Sequence, residues 1–206
     1  MTTIKKVLLV VFIVVMIVAT PIAYIGYKFS RSGDDYGEAR QVADTQTLRE
    51  TTNGDVIGFL DITDSHTWMG IPYAVAPVGN LRWKAPRKSV PWDGTLEALQ
   101  ASERCKQIGS VGESRPPEEL GKPIGSEDCL YLNIFAPSIL KDELPTGEAR
   151  LPVMVYIHGG GNTAGYANQF KYSGRNLARN HGVIVVNFNY RLNLFGWFTH
   201  PALNRD

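Results

Sequence analysis

Residues 153–167 read VMVYIHGGGNTAGYA: β-forming residues, a histidine, then Gly159, Gly160 and Gly161 in succession. Consecutive glycines cost chain entropy, and they are found where the backbone needs φ > 0 or a ligand must approach the main chain closely. A phosphate-binding loop needs G-x-x-x-x-G-K-[ST], with the lysine reaching the phosphates. Gly160 and Gly165 have that separation, but Tyr166 and Ala167 stand where Lys-Ser/Thr must be, which excludes it. A dinucleotide turn can be fitted as Gly159, Gly161 and Ala164, yet it needs an acid about 20 residues on to bind the ribose. No Asp or Glu occurs between Glu148 and Asp206. An oxyanion hole remains, in which backbone N–H groups aimed at a developing negative charge stabilise it without reorganising. A tight turn where a strand leaves its sheet is the alternative reading of the same glycines.

The flanks supply the fold class. Leu151–Ile157 is a near-continuous apolar run, expected to be a strand buried on both faces. Tyr172–His181 has helical composition, with Ser173 a candidate N-cap and Gly182 at the stop position. Val183–Asn187 reads as a second buried strand. Strand, Gly-rich loop, helix and strand make a βαβ unit, hence an α/β protein with a parallel pair. Upstream, Asn53-Gly54 is a turn signal and Asp55–Asp61 a strand, expected to pair with a second strand at about Thr67–Tyr73 that Pro72 interrupts. Leu130–Phe135 is a strand stopped by Pro137, and residues 74–128, rich in Pro and Gly, read as long ordered loops.

With 21 basic and 20 acidic residues the formal charge is +1, which gives no reason to expect a nucleic-acid partner. The distribution is uneven: Arg150, Lys171, Arg175, Arg179, Arg191 and Arg205 fall in the acid-free stretch. They form either a mildly basic face or partners for acids that these residues do not include.

Lys5 and Lys6 precede Val7–Tyr27, 21 residues without a charge. As a helix, at about 1.5 Å per residue, that run spans roughly the hydrocarbon thickness of a bilayer. Tyr24 and Tyr27 sit at its far end, where aromatic rings favour the membrane interface. It reads as an uncleaved anchor, with a cleaved signal peptide the rival reading, since no clear A-x-A-like site follows. Either way the remainder is expected on the periplasmic or extracellular side, single-pass or secreted. The chain divides into an anchor or signal segment (1–28), a polar stalk (29–47) and a domain (48–206). Cys105 and Cys129 fit export as a disulfide, which would contribute about 3 kcal/mol by loop-closure entropy. No histidine stands at ligand spacing from either, so no metal is expected, and no cofactor motif survives.

Four further stretches are more specific. Met69–Pro86 (MGIPYAVAPVGNLRWKAP), Gly125–Pro137 (GSEDCLYLNIFAP), Pro152–Gly161 (PVMVYIHGGG) and Val185–Trp197 (VVNFNYRLNLFGW) occur in this order over roughly Thr51–Pro201. Together they resemble the N-terminal third of the type B carboxylesterase family, which includes the cholinesterases. The resemblance implies the first part of an α/β-hydrolase fold: a small antiparallel hairpin, then the first strands of a central mixed sheet with a crossover helix, here preceded by one transmembrane helix. It implies a small carboxylic ester as substrate. By position, Gly160 and Gly161 match the glycines whose N–H groups form two arms of the oxyanion hole. His158 and Gly159 support that loop, His158 as a positional residue and not a base. Cys105 and Cys129 match a family disulfide, and Arg82 and Glu127 a structural salt bridge. Arg191 matches a buried arginine whose acid lies further along the family's chain. Asn162 is a departure, since many members carry an aromatic residue there that lines the acyl pocket.

The family's mechanism needs a serine on a G-x-S-x-G elbow, then an acid, then a histidine. No serine in these residues has that context; Ser114, in VGESRP, lacks the following glycine and precedes the loop. The triad and the third oxyanion donor are therefore expected downstream of Asp206, and this stretch alone is expected to be inactive. The alternatives are a non-catalytic, cholinesterase-like adhesion or binding protein, or an inactive truncated membrane protein.

Overall fold

YLNIFAP alternates, so a strand built from it puts Asn133 and Phe135 on one face and Leu132, Ile134 and Ala136 on the other. In the computed structural model that strand lies at the centre of a five-stranded sheet. The structure describes Thr20 and residues 41–110 and 117–204. Apart from Thr20, the apolar segment 7–27 lies outside the described residues, as do most of the polar stretch 29–47 and Ser114.

In chain order the strands are β1 (Arg49–Thr51), β2 (Gly54–Ile57), β3 (Phe59–Leu60), β4 (Ser65–Pro72), β5 (Thr95–Glu97), β6 (Gln107–Ile108), β7 (Pro123–Ile124), β8 (Tyr131–Pro137), β9 (Val153–Ile157) and β10 (Ile184–Phe188). Helix α1 (Arg175–His181) links the last two strands and α2 (Asn193–Trp197) follows them. The central sheet runs β3-β4-β8-β10-β9. All its neighbours are antiparallel except β10 and β9, the parallel pair that the βαβ pattern requires. Two small sheets flank it, β1-β2-β5 and β6-β7. Among the described residues no helix is long and apolar enough to cross a membrane.

Register explains the two sides of the sheet. Val185 stands opposite Phe135 and Asn187 opposite Asn133, so one face carries two apolar and two carboxamide side chains in adjacent rows. Helix α1 packs on β8, β4 and β10, where Ala178 closes a core with Phe59, Met69, Leu99, Phe135 and Val185. A Cβ on Gly174 would lie 2.4 Å from the Cβ of Val185, so the helix enters on a residue without a side chain. On the opposite face Val56, Trp68 and Ala98 pack with Ile134 and Ala136.

The structure corrects several expectations. Asp55–Asp61 is not one strand. It breaks at Gly58, whose N–H donates to Thr47 Oγ1 at 2.8 Å and whose Cβ, if present, would lie 2.2 Å from the Thr67 carbonyl oxygen. Only the short β3 pairs with β4, while β2 pairs with β1 and, in parallel, with β5 from within the expected loops. The hairpin turn is Thr52-Asn53, with Thr51 paired to Gly54; Gly54 (φ 126°) is the residue against which the Trp92 indole lies. Thr45–Thr47, at the end of the expected stalk, is a 3-10 turn in which Asp44 caps Gln46, and the buried Thr47 accepts from Trp68 Nε1. Ser173 does not cap α1: Gly174 occupies the N-cap and the Ser173 hydroxyl is buried with no hydrogen-bond partner among the described residues. Gly182 ends that helix in the left-handed region (φ 62°, ψ 37°), so its N–H can reach the Ala178 carbonyl.

The largest correction concerns β9, expected to be buried on both faces and instead exposed at all five residues. It is the edge of the sheet, beside a cleft of about 820 Å³ lined by residues such as Leu151, Val153, Ile184 and Val186. An apolar edge with unpaired backbone groups is a template for association. The 206-residue chain is therefore expected to self-associate, and Val155→Lys to reduce this, as read by light scattering over a concentration series. Association unchanged by the lysine would show that another surface is responsible.

Candidate functional site

Strand β9 delivers His158 and the glycines to the end of the sheet. The turn that follows is built around one carbonyl: Gly160 O accepts from the N–H groups of Thr163 and Ala164, each at 3.1 Å, and from Thr163 Oγ1 at 3.0 Å. Three successive residues have left-handed φ, Gly160 at 127°, Gly161 at 61° and Asn162 at 61°. Glycine is obligatory at the first of them, since a Cβ there would sit 1.8 Å from the Ala164 carbonyl oxygen. Asparagine tolerates this region better than an aromatic or β-branched residue, which accounts for the side chain found at 162. With the carbonyl of Gly160 turned into the loop, the N–H groups of Gly160 and Gly161 hydrogen-bond to nothing among the described residues, and both glycines are exposed.

His158 is 2% exposed and works as a wedge at the corner. Its ring stacks on Tyr190 with centroids 4.3 Å apart, and the Tyr190 hydroxyl donates to the His158 carbonyl at 2.6 Å. Nδ1 lies 2.9 Å from the Gly159 carbonyl, while Nε2 is buried with no hydrogen-bond partner among the described residues. Burial lowers the imidazole's pKa, opposed by the hydrogen bond to Gly159. The ring is thus held neutral, with the Nδ1 proton given to the loop.

Behind the loop stand residues that the motif reading did not single out. Gln107, on β6, brackets Gly165: its Oε1 accepts from Gly165 N–H at 2.9 Å and its Nε2 donates to Gly165 O at 3.0 Å. Asn189 Oδ1 accepts from Ala167 N–H at 2.7 Å, and Asn187 Nδ2 donates to the carbonyls of Ala167 and Tyr172, each at 3.0 Å. Asn133 Nδ2 joins Asn187 Oδ1 and Asn168 Oδ1. Asn193 donates from its backbone to Asn162 O and from its side chain to Thr163 O. The signal was present in NFNYRLN, where Asn187 in β10 and Asn189 just beyond its end are both buried, a place carboxamides occupy only when bonded.

Cys105 and Cys129 are joined by a disulfide, packed with Ala74, Leu130 and Leu192. Arg82 donates to both carboxylate oxygens of Glu127, each at 2.6 Å, which holds the Glu127 carboxyl below its ordinary pKa. This pair lies beside the disulfide and apart from the glycine loop. Arg191 has its Nη1 buried with no hydrogen-bond partner among the described residues. No group of three or more His, Cys, Asp or Glu side chains among the described residues could hold a metal. In front of the loop, Gly161 and Asn162 border an open groove of about 540 Å³ whose far wall is Leu194, Trp197 and Phe198, all exposed.

A histidine buried neutral binds its proton less readily than in the unfolded chain, where its pKa is about 6.5. The corresponding stability is complete above that value and is lost as pH falls through the lower folded-state pKa. His66 adds to the same slope, its pKa lowered chiefly by burial and then by Arg49, against Asp44 and Asp64. The urea midpoint is therefore expected to fall on going from about pH 7.5 to about pH 5.5, and His158→Phe, which keeps a flat ring against Tyr190, to shrink that fall. An unchanged pH dependence in the variant would refute the buried neutral state.

Residues 45–203 match the Carboxylesterase family. The chain is 42% identical over 160 residues to the para-nitrobenzyl esterase of Bacillus subtilis, covering 78% of this chain and 30% of the relative. It is 38% identical over 168 residues to the fumonisin B1 esterase of Sphingopyxis macrogoltabida, covering 82% and 28%. A solved PNB esterase superposes with a TM-score of 0.66 at 37% identity, covering 78% of this chain and 31% of that one. A Geobacillus stearothermophilus carboxylesterase superposes at 0.59 and 35% identity, covering 73% and 27%. The chain thus spans under a third of the length of these relatives. On a glycine loop, a mixed sheet and a sequence match that all cover the same residues, the chain belongs to the carboxylesterase family and has the corresponding part of the α/β-hydrolase fold.

Proposed function

We propose that this chain supplies the oxyanion loop of a carboxylic ester hydrolase that works through an acyl-serine. The observation that carries the reading is the pair of unengaged N–H groups on Gly160 and Gly161, held by a left-handed turn at the mouth of an open groove. As a serine attacks the ester carbonyl, its oxygen becomes an anion. Donors fixed before the reaction stabilise that charge more than they stabilise the neutral substrate. The exposed Leu194, Trp197 and Phe198 give the groove an apolar wall suited to the carbon portion of a small ester. The nucleophile, its acid and its base are not supplied by a G-x-S-x-G in these residues; in this reading they come from chain beyond them, in the family's order.

The same reading places the domain on the periplasmic or extracellular side of a membrane, anchored by residues 7–27, with secretion after cleavage as the alternative. The charge-free run and the Cys105–Cys129 disulfide, suited to an oxidising compartment, support it. The segmentation into anchor (1–28), stalk (29–47) and domain (48–206) belongs to this proposal, with the stalk's last residues already folded against the domain.

Joining the whole chain in frame to the part of the Bacillus subtilis para-nitrobenzyl esterase that follows its matched segment is expected, on this reading, to bring a serine beside the loop. The fused protein is expected to hydrolyse p-nitrophenyl butyrate. Gly160→Ala, which forces the loop away from the Ala164 carbonyl, is expected to lower kcat by about 10²-fold with KM little changed. A fused protein that folds but is inactive, or a Gly160→Ala variant at the parental rate, would favour a non-catalytic binding protein.

A further inference from the structure

We propose that Gln107 is a positioning residue for the glycine loop, carrying the geometry of the disulfide-closed segment to the Gly160 and Gly161 donors. The inference rests on reading those two N–H groups as the oxyanion donors.

Gln107 is 4% exposed and its carboxamide is fully used. Oε1 takes the N–H of Gly165, and the two protons of Nε2 go to the carbonyls of Gly165 and Cys105, both at 3.0 Å. Gly165 is also pressed against the corner of the loop. A Cβ there would lie 2.5 Å from both the Gly159 carbonyl oxygen and His158 Nδ1. The carboxamide and the corner therefore hold the same residue, one by hydrogen bonds and the other by close contact, and Gly165 has no room to drift unless one of them moves.

What holds Gln107 is equally fixed. It pairs with Ile124 across β6 and β7, and Cys105, two residues before it, is tied to Cys129. The Lys106 N–H donates to Ser126 O, and the Lys106 carbonyl accepts from Asn193 Nδ2, whose backbone N–H holds Asn162. The loop is thus clamped at 165 through Gln107 and at 162–163 through Asn193, and both clamps are referred to the strand beside the disulfide. Packing alone does not require an amide at 107. A leucine or methionine would fill the space but would leave the Gly165 N–H and carbonyl buried and unpaired. The side chain reaches neither the groove nor the unengaged N–H groups, so its effect on chemistry passes through backbone position. Misplacement of a reacting geometry by about 1 Å costs about 10²-fold in rate.

The test uses the fused enzyme with Gln107→Met, of similar size, and Gln107→Glu, nearly isosteric and without the two N–H donors. The expected result is a kcat lower by about 10- to 100-fold, with KM within about a factor of two of the parent's. Affinity for phenyl trifluoromethyl ketone, whose serine adduct carries an oxyanion, should weaken by the same factor as kcat/KM. In a Gly160→Ala background the same substitutions should cost little more, because the donors are already displaced. The Glu variant carries the test if the Met variant does not fold. A lowered melting temperature with kcat unchanged, or losses that add fully in the double variant, would overturn the inference and leave Gln107 a stability residue. If Gly160→Ala slows the enzyme and the Gln107 variants do not, this inference alone fails. If Gly160→Ala leaves the parental rate, the oxyanion reading itself falls and this inference with it.

Discussion

Backbone buried away from a ladder must still be hydrogen-bonded, and the stretch from Gly165 to Tyr172 is where this chain meets that demand. The segment passes from the glycine loop under the end of the sheet to helix α1, with no strand alongside. Side-chain amides take the place of the missing strand. Gln107 serves Gly165, Asn189 and Asn187 serve the two sides of Ala167, and Asn187 also reaches Tyr172. The register that sets Asn187 opposite Asn133 exists to bring these amides together, since either one alone would leave polar atoms stranded in a core otherwise made of Phe135, Val185 and Ala178. The position of the loop, the start of the helix and the polarity of one face of the sheet all follow from that single need.

Much of this was legible in the sequence where the signal is local. The apolar run, the glycines, the helical segment and Gly182 each announce a conformation through their own chemistry, and the βαβ unit followed from their order. The left-handed turn was legible because few residue types tolerate it. What was hidden depended on distant partners. Strands of two or three residues such as β3 and β5 have too little pattern to declare themselves and exist because a neighbour offers hydrogen bonds. The break at Gly58 is set by the approach of Thr67, and the failure of Ser173 as a cap by the closeness of Gly174 to Val185. Gln107 carried no local sign of its role, because a glutamine among Pro- and Gly-rich residues reads as surface until its partner 58 positions away is known.

The exposure of β9 belongs to the same class. An apolar run predicts burial, but which layers cover it is decided by elements elsewhere. Here α1 packs on β8, β4 and β10, leaving the strand that feeds the loop at an open edge. Gly160 and Gly161 therefore stand at a boundary. Towards the disulfide they are supported by a closed frame of side-chain amides and packed rings. Towards β9 they are continuous with backbone still able to accept a neighbour.

The choice of amides in that frame has an electrical consequence. Gln107, Asn133, Asn187, Asn189 and Asn193 are all uncharged, so the supports contribute local dipoles and no monopole near Gly160 and Gly161. Had arginines or lysines held the same backbone, a permanent positive charge would have drawn anions to the loop. If Gly160 and Gly161 are the oxyanion donors proposed above, neutral supports leave the pull on an oxygen atom to the two N–H dipoles at short range. It grows steeply only as that oxygen gains charge and closes on them. On that reading, the scaffold favours an alkoxide over a carbonyl without acting as a trap for carboxylates.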